Sequence, residues 1–275
     1  MSTLALHNAG VAIDGHWLLR GATMTLRAGN VTAFLGPNGS GKTTLLCVLA
    51  GLLTPSAGHV TLHGQDLHSF GRRALAQRIA FVPQDTHVSV AFTVREMVEM
   101  GRHPHLRRFE RVRQRDHALV EDAMRRADVW HLARRPVTEL SGGERQRVII
   151  ARSLATQADV LLLDEPTANL DIAHALDVLD LCQQLAHEGK AIGLALHDIN
   201  AAARYATHLV LLSAGRLVTQ GRPEDVLQAA QLNQVFDVCT DRTHAADGTP
   251  VFVFYRDRHE ASNPDEGAAR GETPS

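Results

Sequence analysis

Cysteine and long apolar runs are scarce in this sequence, and each scarcity excludes a class of protein. The 275 residues include three cysteines, an odd number spread widely along the chain. They predict neither a disulfide framework nor a zinc knuckle, and they fit a reducing cytosol. No apolar run approaches the roughly 18 residues that a membrane span needs, and the N-terminus lacks the pattern of a signal peptide. If the protein works at a membrane, we expect another subunit to cross it.

A strong charge of either sign is also absent. The formal net charge is −2, so no global basic field is present to recruit nucleic acid. The run from Arg107 to Arg113 is basic, but no aromatic platform accompanies it, and we interpret it as a solvated or interface surface. The hydrophobic fraction of 44% is ample for a buried core. We expect one domain over residues 1–255 and, because residues 256–275 lack apolar periodicity, a disordered tail.

Lysine occurs only twice, and Lys42 lies in a glycine-rich stretch that fits G-x-x-x-x-G-K-[ST]. Apolar runs at 31–35 and 45–50 flank the stretch, which is the strand–loop–helix context of a phosphate-binding P-loop. The glycines let backbone N–H groups converge on phosphate oxygens, and the helix N-terminus adds its positive pole. Lys42 is then expected to neutralise β- and γ-phosphate charge, and Thr43 to hold Mg²⁺. The predicted phosphate-binding residues are Gly36, Pro37, Asn38, Gly39, Ser40, Gly41, Lys42, Thr43 and Thr44.

Two other interpretations apply to the same stretch. A Gly/Ser-rich turn between a strand and a helix is the plainer one, because the motif alone also occurs by chance. A Rossmann dinucleotide fingerprint is the other, and it fails because the spacing is not G-x-G-x-x-G. The turn interpretation is tested by what else the chain carries for phosphoryl transfer.

A pair of acids, Asp164 and Glu165, directly follows the apolar run at 160–163. Such a run suits a strand buried on both faces of a mainly parallel sheet, and ligands bind at the carboxyl edge of such sheets. Adjacent residues at a strand end point in different directions, so one acid can reach Mg²⁺ while the other reaches an attacking water. We assign Asp164 to the metal and Glu165 to general-base or water-positioning work. A solvated acidic turn is the alternative, but it leaves the aliphatic run before it unexplained.

The order of patterns predicts an α/β fold with a P-loop NTPase core. Residues 1–35 have the pattern of short strands and turns, which predicts a β-rich N-terminal subdomain. A helical and strongly charged pattern later in the chain predicts a helical subdomain inserted at about 93–140. Alternation of strand and helix then resumes, with apolar runs at 160–163 and 191–196 and a hairpin pattern at 209–219.

Residues 140–147, Leu-Ser-Gly-Gly-Glu-Arg-Gln-Arg, resemble the signature sequence of ATP-binding-cassette (ABC) ATPases. The segment stands upstream of the acid pair, as in that family, with Glu144 where glutamine is commonest. Ser-Gly-Gly opens a helix and forms a second anion-binding N-terminus. The resemblance implies that Ser141, Gly142, Gly143 and Glu144 close over the nucleotide of a second copy, so that dimerisation completes the active site.

The resemblance supplies three further residues. Gln84 matches the glutamine that senses Mg²⁺ and couples to the transporter, and it joins Thr43 and Asp164 as a metal contact. Asp171 matches the loop that crosses the dimer interface. His197 matches the histidine that contacts the γ-phosphate and is the second catalytic residue beside the glutamate. A lone histidine is commonly structural, but this one ends an apolar run downstream of three matched motifs.

One family feature is weak here. An aromatic residue near the N-terminus usually stacks on adenine, and spacing back from the P-loop leads to Ile13, which cannot stack. Trp17 is close but out of register. The preference for ATP over GTP therefore rests on the family resemblance.

The resemblance implies an ATPase coupled to transmembrane transport, a translocase that uses ATP and Mg²⁺. The interval between Gln84 and Ser141 is too short for the coiled coil of a DNA-repair or chromosome-structure ATPase. The sequence has no internal repeat, unlike translation factors with two cassettes, and no membrane spans, unlike fused exporters. A stand-alone subunit that serves a separate permease remains.

Further segments are similar to importers of ferric siderophores, haem and vitamin B12, namely residues 93–105 (with the …GR-x-P pattern), 197–206, 220–227, 235–238 and 248–251. This similarity implies uptake of an iron chelate or cobalamin by a pair of copies lying peripherally on the cytoplasmic face of the inner membrane. The implied partners are a permease and, indirectly, a periplasmic or lipid-anchored substrate-binding protein; no nucleic acid is expected. Zinc, manganese or an amino acid stays open as cargo, since cargo touches other subunits. A regulatory or DNA-associated ATPase stays open as the non-transport alternative.

Sixteen histidines invite a metal-site interpretation, with His103 and His105 nearest to ligand spacing. Pro104 is expected to keep this segment extended, so that two imidazoles can point the same way. No cysteine or carboxylate cluster completes a coordination set, and we therefore give metal binding little weight.

Overall fold

The glycine-rich stretch joins a strand at the centre of a sheet to a helix that begins at Lys42, as the sequence predicts. The computed structural model describes residues 3–85, 90–107, 110–168 and 170–256. The strands of this part are β1 (Thr3–Ile13), β2 (His16–Arg27), β3 (Val31–Leu35), β4 (Ala57–Leu62), β5 (Gln65–Asp66), β6 (Ile79–Val82), β7 (Val160–Asp164), β8 (Ala191–Ala195), β9 (His208–Ser213), β10 (Arg216–Gly221), β11 (Cys239–His244) and β12 (Pro250–Tyr255). Its helices are α1 (Lys42–Leu49), α2 (Arg72–Ala76), α3 (Val94–Glu99), α4 (Gln114–Arg126), α5 (Gly142–Ala155), α6 (Ile172–His187), α7 (Ile199–Tyr205), α8 (Pro223–Val226) and α9 (Ala229–Phe236).

Six strands form the central sheet, in the order β10-β9-β3-β8-β7-β6. The strands from β9 to β6 run parallel, and β10 pairs antiparallel with β9 as the predicted hairpin. β3, β7 and β8 are buried at every residue, which explains their continuous apolar sequences. Their carboxyl ends lie at one edge of the sheet, so the residues that follow them meet there.

A second, antiparallel sheet of order β2-β1-β4-β5 covers α1 and one face of the central sheet. Phe34 contributes to this apolar core, whereas its neighbours Ala33 and Leu35 belong to the core on the opposite face of the central sheet. The sequence predicts short strands here, but β1 and β2 are 11 and 12 residues long. The difference arises because irregular register, with bulges, breaks the alternation that marks a long strand.

Helices α3, α4 and α5 lie between β6 and β7 and pack against the other face of the central sheet. Residues 100–105 between α3 and α4 form a 3₁₀ helix, so the expectation of an extended segment at Pro104 is wrong. Proline fits a 3₁₀ turn because its fixed φ lies within the helical range. The side chains of Arg73 and Gln77 donate to the Pro104 carbonyl at 2.8 and 2.6 Å and hold the turn against α2. The bounds of the helical subdomain, 93–140, stay a prediction.

The C-terminal part of the described chain is a hairpin of β11 and β12. It packs against α9 through β11 and against α7 through β12. The predicted tail lies outside the described residues, apart from Arg256. Within the described ranges, every helix is too short or too polar to cross a membrane.

Candidate active site

A pocket of about 490 Å³ lies at the carboxyl edge of the central sheet. It brings together five separate parts of the chain: β2, the glycine-rich loop, and the segments that follow β6, β7 and β8. Its lining residues are Leu18, Asn38, Gly39, Ser40, Gly41, Lys42, Thr43, Thr44, Gln84, Glu165 and His197. All but Leu18 are residues that the sequence predicts for the site.

The loop requires glycine where other backbone atoms approach it. Gly36 has φ +154°, and a Cβ there would lie 2.3 Å from the Leu212 carbonyl oxygen. Gly41 has φ +101°, and its Cβ would lie 2.9 Å from the Leu18 carbonyl oxygen. Both distances are shorter than real Cβ contacts, so a larger residue would displace the loop backbone from its neighbours.

The Lys42 ammonium is buried and turned back onto the loop. Its Nζ donates to the carbonyl oxygens of Gly36 at 2.8 Å and Pro37 at 3.2 Å. Burial lowers the pKa of Lys42, and the nearby carboxylates of Glu165 and Asp164 act in the opposite direction. An ammonium in this position has a strong electrostatic preference for anionic oxygens over neutral carbonyls.

Two buried oxygens around Lys42 have no hydrogen-bond partner, the Oγ of Ser40 and the Oδ1 of Asp164. Asp164 is 1% exposed. Burial raises the pKa of its carboxyl, and a hydrogen bond with Thr43 opposes that rise. An unpaired buried carboxylate oxygen is costly unless a cation stands beside it.

These oxygens fit the metal that the sequence predicts. Mg²⁺ prefers oxygen ligands and is held by one or two carboxylates together with substrate phosphates. Thr43 and Gln84 line the pocket, and Asp164, which is not among the lining residues, is hydrogen-bonded to Thr43 behind them. Their hydroxyl, amide and carboxylate groups offer oxygen donors only. The residues present therefore suit Mg²⁺, and their role as its ligands stays a prediction.

The Glu165 carboxylate is held from two sides. Its Oε2 accepts a hydrogen bond from Gln84 Nε2 at 2.7 Å, and its Oε1 contacts His197 Nε2. The backbone N–H of Glu165 donates to the Ala195 carbonyl at 3.1 Å, which ties the turn after β7 to the end of β8. Glu165 has φ +51°, a left-handed conformation that costs a non-glycine residue about 1–3 kcal/mol and is common at functional sites.

The signature segment forms a helix N-terminus away from this pocket. Ser141 caps α5: its Oγ accepts from the Glu144 N–H at 3.2 Å, and the Glu144 carboxylate accepts from the Ser141 N–H at 2.8 Å. Ser141 and Gly142 are exposed. Among the described residues, the pocket lining includes none of residues 141–144. The structure thus separates this second predicted anion site from the P-loop of the same chain.

Asp171 likewise lies outside the lining of the pocket, within the described part of the chain. It caps α6, since its Oδ1 accepts from the His174 N–H at 2.9 Å. The next residue, Ile172, is 82% exposed. Of the loop before it, residue 169 lies outside the described residues.

Leu18 is the pocket residue that sequence reasoning missed. In β2, Trp17 stands opposite Ala12 and Leu19 stands opposite Val11, so Leu18 is the extra residue of a bulge. A bulge re-aims a side chain, and here it brings Leu18 to the glycine-rich loop. No pattern in the linear sequence shows where such a bulge falls.

Trp17 is engaged elsewhere, and Ile13 is not among the residues that line the pocket in the described chain. A Cβ at Gly10 would lie 2.8 Å from the Trp17 ring, and the Arg20 guanidinium lies 5.6 Å from the ring centroid. The ring therefore packs on β1 and beneath an arginine.

The histidines between α3 and α4 have a structural setting. A ring nitrogen of His105 lies 2.8 Å from the Thr156 carbonyl at the end of α5. The Arg102 guanidinium forms a buried ion pair with Asp116 at 2.9 Å and donates to the Ala155 carbonyl at 2.7 Å. The …GR-x-P segment thus holds the C-terminal end of the signature helix. In the basic run after it, residues 108 and 109 lie outside the described residues.

A P-loop, an acidic strand end beside it and a glutamate held between a glutamine and a histidine define the class as a P-loop nucleotide hydrolase. A family model described as ABC transporter matches residues 19–168, more than half of the chain. The chain belongs to the ABC transporter family. This confirms the family that the signature sequence indicates, and with it the α/β P-loop fold.

Three similar proteins are ATP-binding proteins of import or transport systems. The cobalamin import ATP-binding protein BtuD of Halobacterium salinarum is 44% identical over 91% of this chain and 67% of its own length. The ferric enterobactin transport ATP-binding protein FepC of Escherichia coli is 40% identical over 84% of this chain and 86% of its own. The hemin import ATP-binding protein HmuV of Pseudomonas entomophila is 42% identical over 88% of this chain and 98% of its own length. These relatives confirm the resemblance to the siderophore, haem and vitamin B12 importer group.

Two solved structures agree with the assignment to the ABC transporter family. An inward-facing ABC transporter described as of metal-chelate type has a TM-score of 0.81 and 28% identity, covering 93% of this chain and 98% of that one. A dimeric bacterial ABC transporter cassette has a TM-score of 0.72 and 26% identity, and the match covers 80% of this chain and 98% of that cassette.

Proposed function

We propose that this chain is the ATP-hydrolysing subunit of an importer for an iron chelate or cobalamin, and that two copies act on a separate permease. The observation that carries the proposal is the Glu165 carboxylate, which is fixed between Gln84 and His197 and faces the Lys42 loop across one pocket. This arrangement suits a base aimed at a water beside a bound γ-phosphate.

In the proposed reaction, Lys42 leaves the loop carbonyls and pairs with β- and γ-phosphate oxygens. Glu165 orients a water and accepts its proton as the water oxygen bonds to the γ-phosphorus and the bond to ADP breaks. His197 holds the Glu165 carboxylate in position. It lines the pocket, so it can also contact the γ-phosphate. Thr43, Asp164 and Gln84 would hold Mg²⁺, which would neutralise charge that develops on the phosphate oxygens.

A second copy completes the proposed site. The N-terminus of α5 at Ser141 and Gly142 is open to solvent and is a helix end suited to a phosphate. Ile172, beside Asp171, exposes 82% of its surface, an apolar exposure that suits burial against another protein. Both features fit an arrangement in which each ATP lies between one P-loop and the other copy's signature helix. ATP drives closure of the pair because it binds the closed form better.

Location and partners follow from the importer relatives. We infer a peripheral position on the cytoplasmic face of the membrane, a permease as direct partner and an external substrate-binding protein as indirect partner. The names of similar proteins point to cobalamin, haem and ferric siderophores as the cargo group.

The test is uptake of labelled haem, a ferric siderophore and cobalamin in cells that express this chain or its Glu165→Gln variant. Glu224→Gln is the matched control, because Glu224 is an exposed glutamate on α8, outside the pocket lining. We expect uptake of one cargo to depend on the chain, to vanish with Glu165→Gln and to survive Glu224→Gln.

If the uptake of all three cargoes does not depend on this chain, the cargo proposal is overturned. Fractionation then separates the remaining alternatives. A protein that sediments with membranes only when its permease is present indicates transport of another solute. A protein that stays in the soluble fraction beside its permease indicates a non-transport ATPase.

A further inference from the structure

We propose that Asn200 is a positioning residue of the ATPase site and that the β11–β12 hairpin acts through it to hold His197 against Glu165. This inference rests on the proposed function, since it concerns the same catalytic histidine. It also gives a task to the residues that follow His197 in the importer-like segment 197–206 and to the hairpin that contains the importer-like segment 248–251.

The Asn200 side chain pairs with both backbone groups of one residue in β12. Its Oδ1 accepts from the Phe252 N–H at 2.7 Å, and its Nδ2 donates to the Phe252 carbonyl at 3.1 Å. An amide side chain offers a donor and an acceptor together, so it satisfies the edge of β12 as a neighbouring strand would. Alanine at this position would leave both backbone groups unpaired at a partly buried site.

Two more contacts join the hairpin to the same helix. Phe252 is 3% exposed and belongs to the same buried apolar cluster as Ala202 of α7. Arg204 pairs with Asp247 in the hairpin turn at 3.0 Å. Asn200 and Arg204 are four residues apart on α7 and therefore lie on one face of the helix. The pair with Asp247 is about half exposed and adds little free energy, so the amide pair and Phe252 carry the attachment.

Asn200, which carries the amide contact with the hairpin, lies at the end of α7 that is next to His197. Asp198 caps the helix, since its Oδ1 accepts from the N–H groups of Asn200 at 2.8 Å and Ala201 at 3.1 Å. His197 immediately precedes this cap. A displacement of Asn200 therefore moves the cap and the backbone that carries the imidazole.

The imidazole depends on that backbone for its position. The His197 side chain is 46% exposed, while its partner Glu165 is 13% exposed. A half-exposed ring has few packing neighbours to hold it, so the backbone after β8 sets where its nitrogen lies. The hairpin stabilises this backbone through its contacts with α7.

The test compares ATP hydrolysis by the full-length protein and by Asn200→Ala. We expect kcat to fall by about tenfold to a hundredfold, because small misplacements of catalytic groups have effects of that size. KM for ATP should change by less than about twofold, because Asn200 does not line the pocket. Gln220→Ala is the matched control: it also removes an amide that donates to a backbone carbonyl, that of Thr23 at 3.0 Å, and should leave kcat unchanged.

The decisive measurement repeats Asn200→Ala in a His197→Ala background. If Asn200 acts through the histidine, its substitution has no further effect on the residual kcat there. An equal fall in both backgrounds would overturn the proposal and leave a structural role only. Asn200→Asp keeps the acceptor for the Phe252 N–H but sets a carboxylate oxygen against the Phe252 carbonyl, and we expect a kcat below that of the parent; a kcat equal to that of the parent would contradict the pairing.

The failure of this inference is distinguishable from failure of the proposed function. If the parent protein hydrolyses ATP in a Glu165-dependent manner while Asn200→Ala is fully active, only the positioning role falls. If the folded parent protein does not hydrolyse ATP, the proposed function falls as well. Thermal unfolding of each variant, measured alongside, identifies any loss of kcat that comes from unfolding.

Discussion

The amide nitrogen of Gln84 donates to the carboxylate of Glu165 across 2.7 Å, although the two residues are 81 positions apart in the chain. Gln84 follows β6 and Glu165 follows β7, and these neighbouring parallel strands end at the same edge of the sheet. Because the amide holds the carboxylate, a movement of the segment after β6 changes the geometry of the candidate base. The contact links the segment directly after β6 to the candidate base.

Glu165→Gln should trap the nucleotide rather than prevent its binding. The amide keeps the shape and the contacts with Gln84 and His197, but it cannot accept a proton from water. We expect kcat for ATP to fall by about 10²–10⁴-fold and an ATP-bound dimer to accumulate. Single-turnover kinetics and size-exclusion chromatography with light scattering measure both effects, and a monomer with full turnover would contradict the assignment.

Asp164→Asn should stabilise the nucleotide-free protein while it removes Mg²⁺-dependent hydrolysis. Because burial raises the pKa of Asp164, the folded protein binds more protons than the unfolded chain between the usual value of 3.8 and the raised value. This contribution to stability is therefore present at low pH and lost as the pH rises through that window. At neutral pH the amide removes a buried charge whose desolvation outweighs its favourable contacts with Thr43 and Lys42, so we expect the variant to be more stable.

Urea unfolding at several pH values measures the effect of Asp164→Asn. The variant should gain stability over the parent at neutral pH and lose that advantage at acid pH. Asp14→Asn, at an exposed turn, is the control, and its stability should stay close to that of the parent at every pH. Equal stability of parent and Asp164→Asn at all pH values would refute the argument.

Glu144→Gln should strengthen the second anion site. The Glu144 carboxylate stays charged because hydrogen bonds from Ser141 lower its pKa. This negative charge at the N-terminus of α5 opposes an incoming phosphate, and glutamine can still accept the Ser141 N–H. With a helix-end charge effect of about 0.3–1 kcal/mol, ATP-dependent dimerisation should need about twofold to fivefold less ATP.

Arg135→Ala is the paired test of that effect. The Arg135 guanidinium lies 3.8 Å from the Glu144 carboxylate, so its removal leaves the negative charge less neutralised. Dimerisation of this variant should need more ATP, the opposite of Glu144→Gln. A shift in the same direction for both variants would show that charge at this helix end does not govern closure.

Leu18→Ala should weaken ATP binding more than Trp17→Ala does. Leu18 lines the pocket, and loss of its apolar contact with a bound base is worth about 1 kcal/mol, or about fivefold in Kd. Trp17→Ala should change Kd by less than about twofold, because its ring packs on β1. Calorimetric titration of both variants with ATP measures the two Kd values. A larger increase in Kd for Trp17→Ala than for Leu18→Ala would mean that the tryptophan contacts the base.

Motifs with a fixed local geometry were predictable from the sequence. The P-loop and the acid pair are short segments whose residues act within one strand end and one turn, so spacing alone describes them. Buried parallel strands leave continuous apolar runs, which located the sheet edge where Lys42 and Glu165 meet. The hairpin at 209–219 was predictable because two strand-like segments flank a Ser-Ala-Gly turn.

Features that depend on contacts between distant segments were not predictable. The bulge at Leu18 arises from the register of β2 on β1, which the linear spacing from the P-loop does not contain. The 3₁₀ turn at Pro104 is held by Arg73 of α2 and by Gln77, the residue that follows this helix. The bond from Asn200 to Phe252 joins positions 52 residues apart, and neither residue alone suggests the other.

The Lys42 contacts with the Gly36 and Pro37 carbonyls have a kinetic consequence. A nucleotide that enters this loop competes with acceptors that the ammonium already has, so part of the binding free energy is spent on exchanging partners. When ADP and phosphate leave, the same carbonyls receive the ammonium again, and no buried charge is stranded. We therefore expect the loop to weaken nucleotide binding and to ease the release of products.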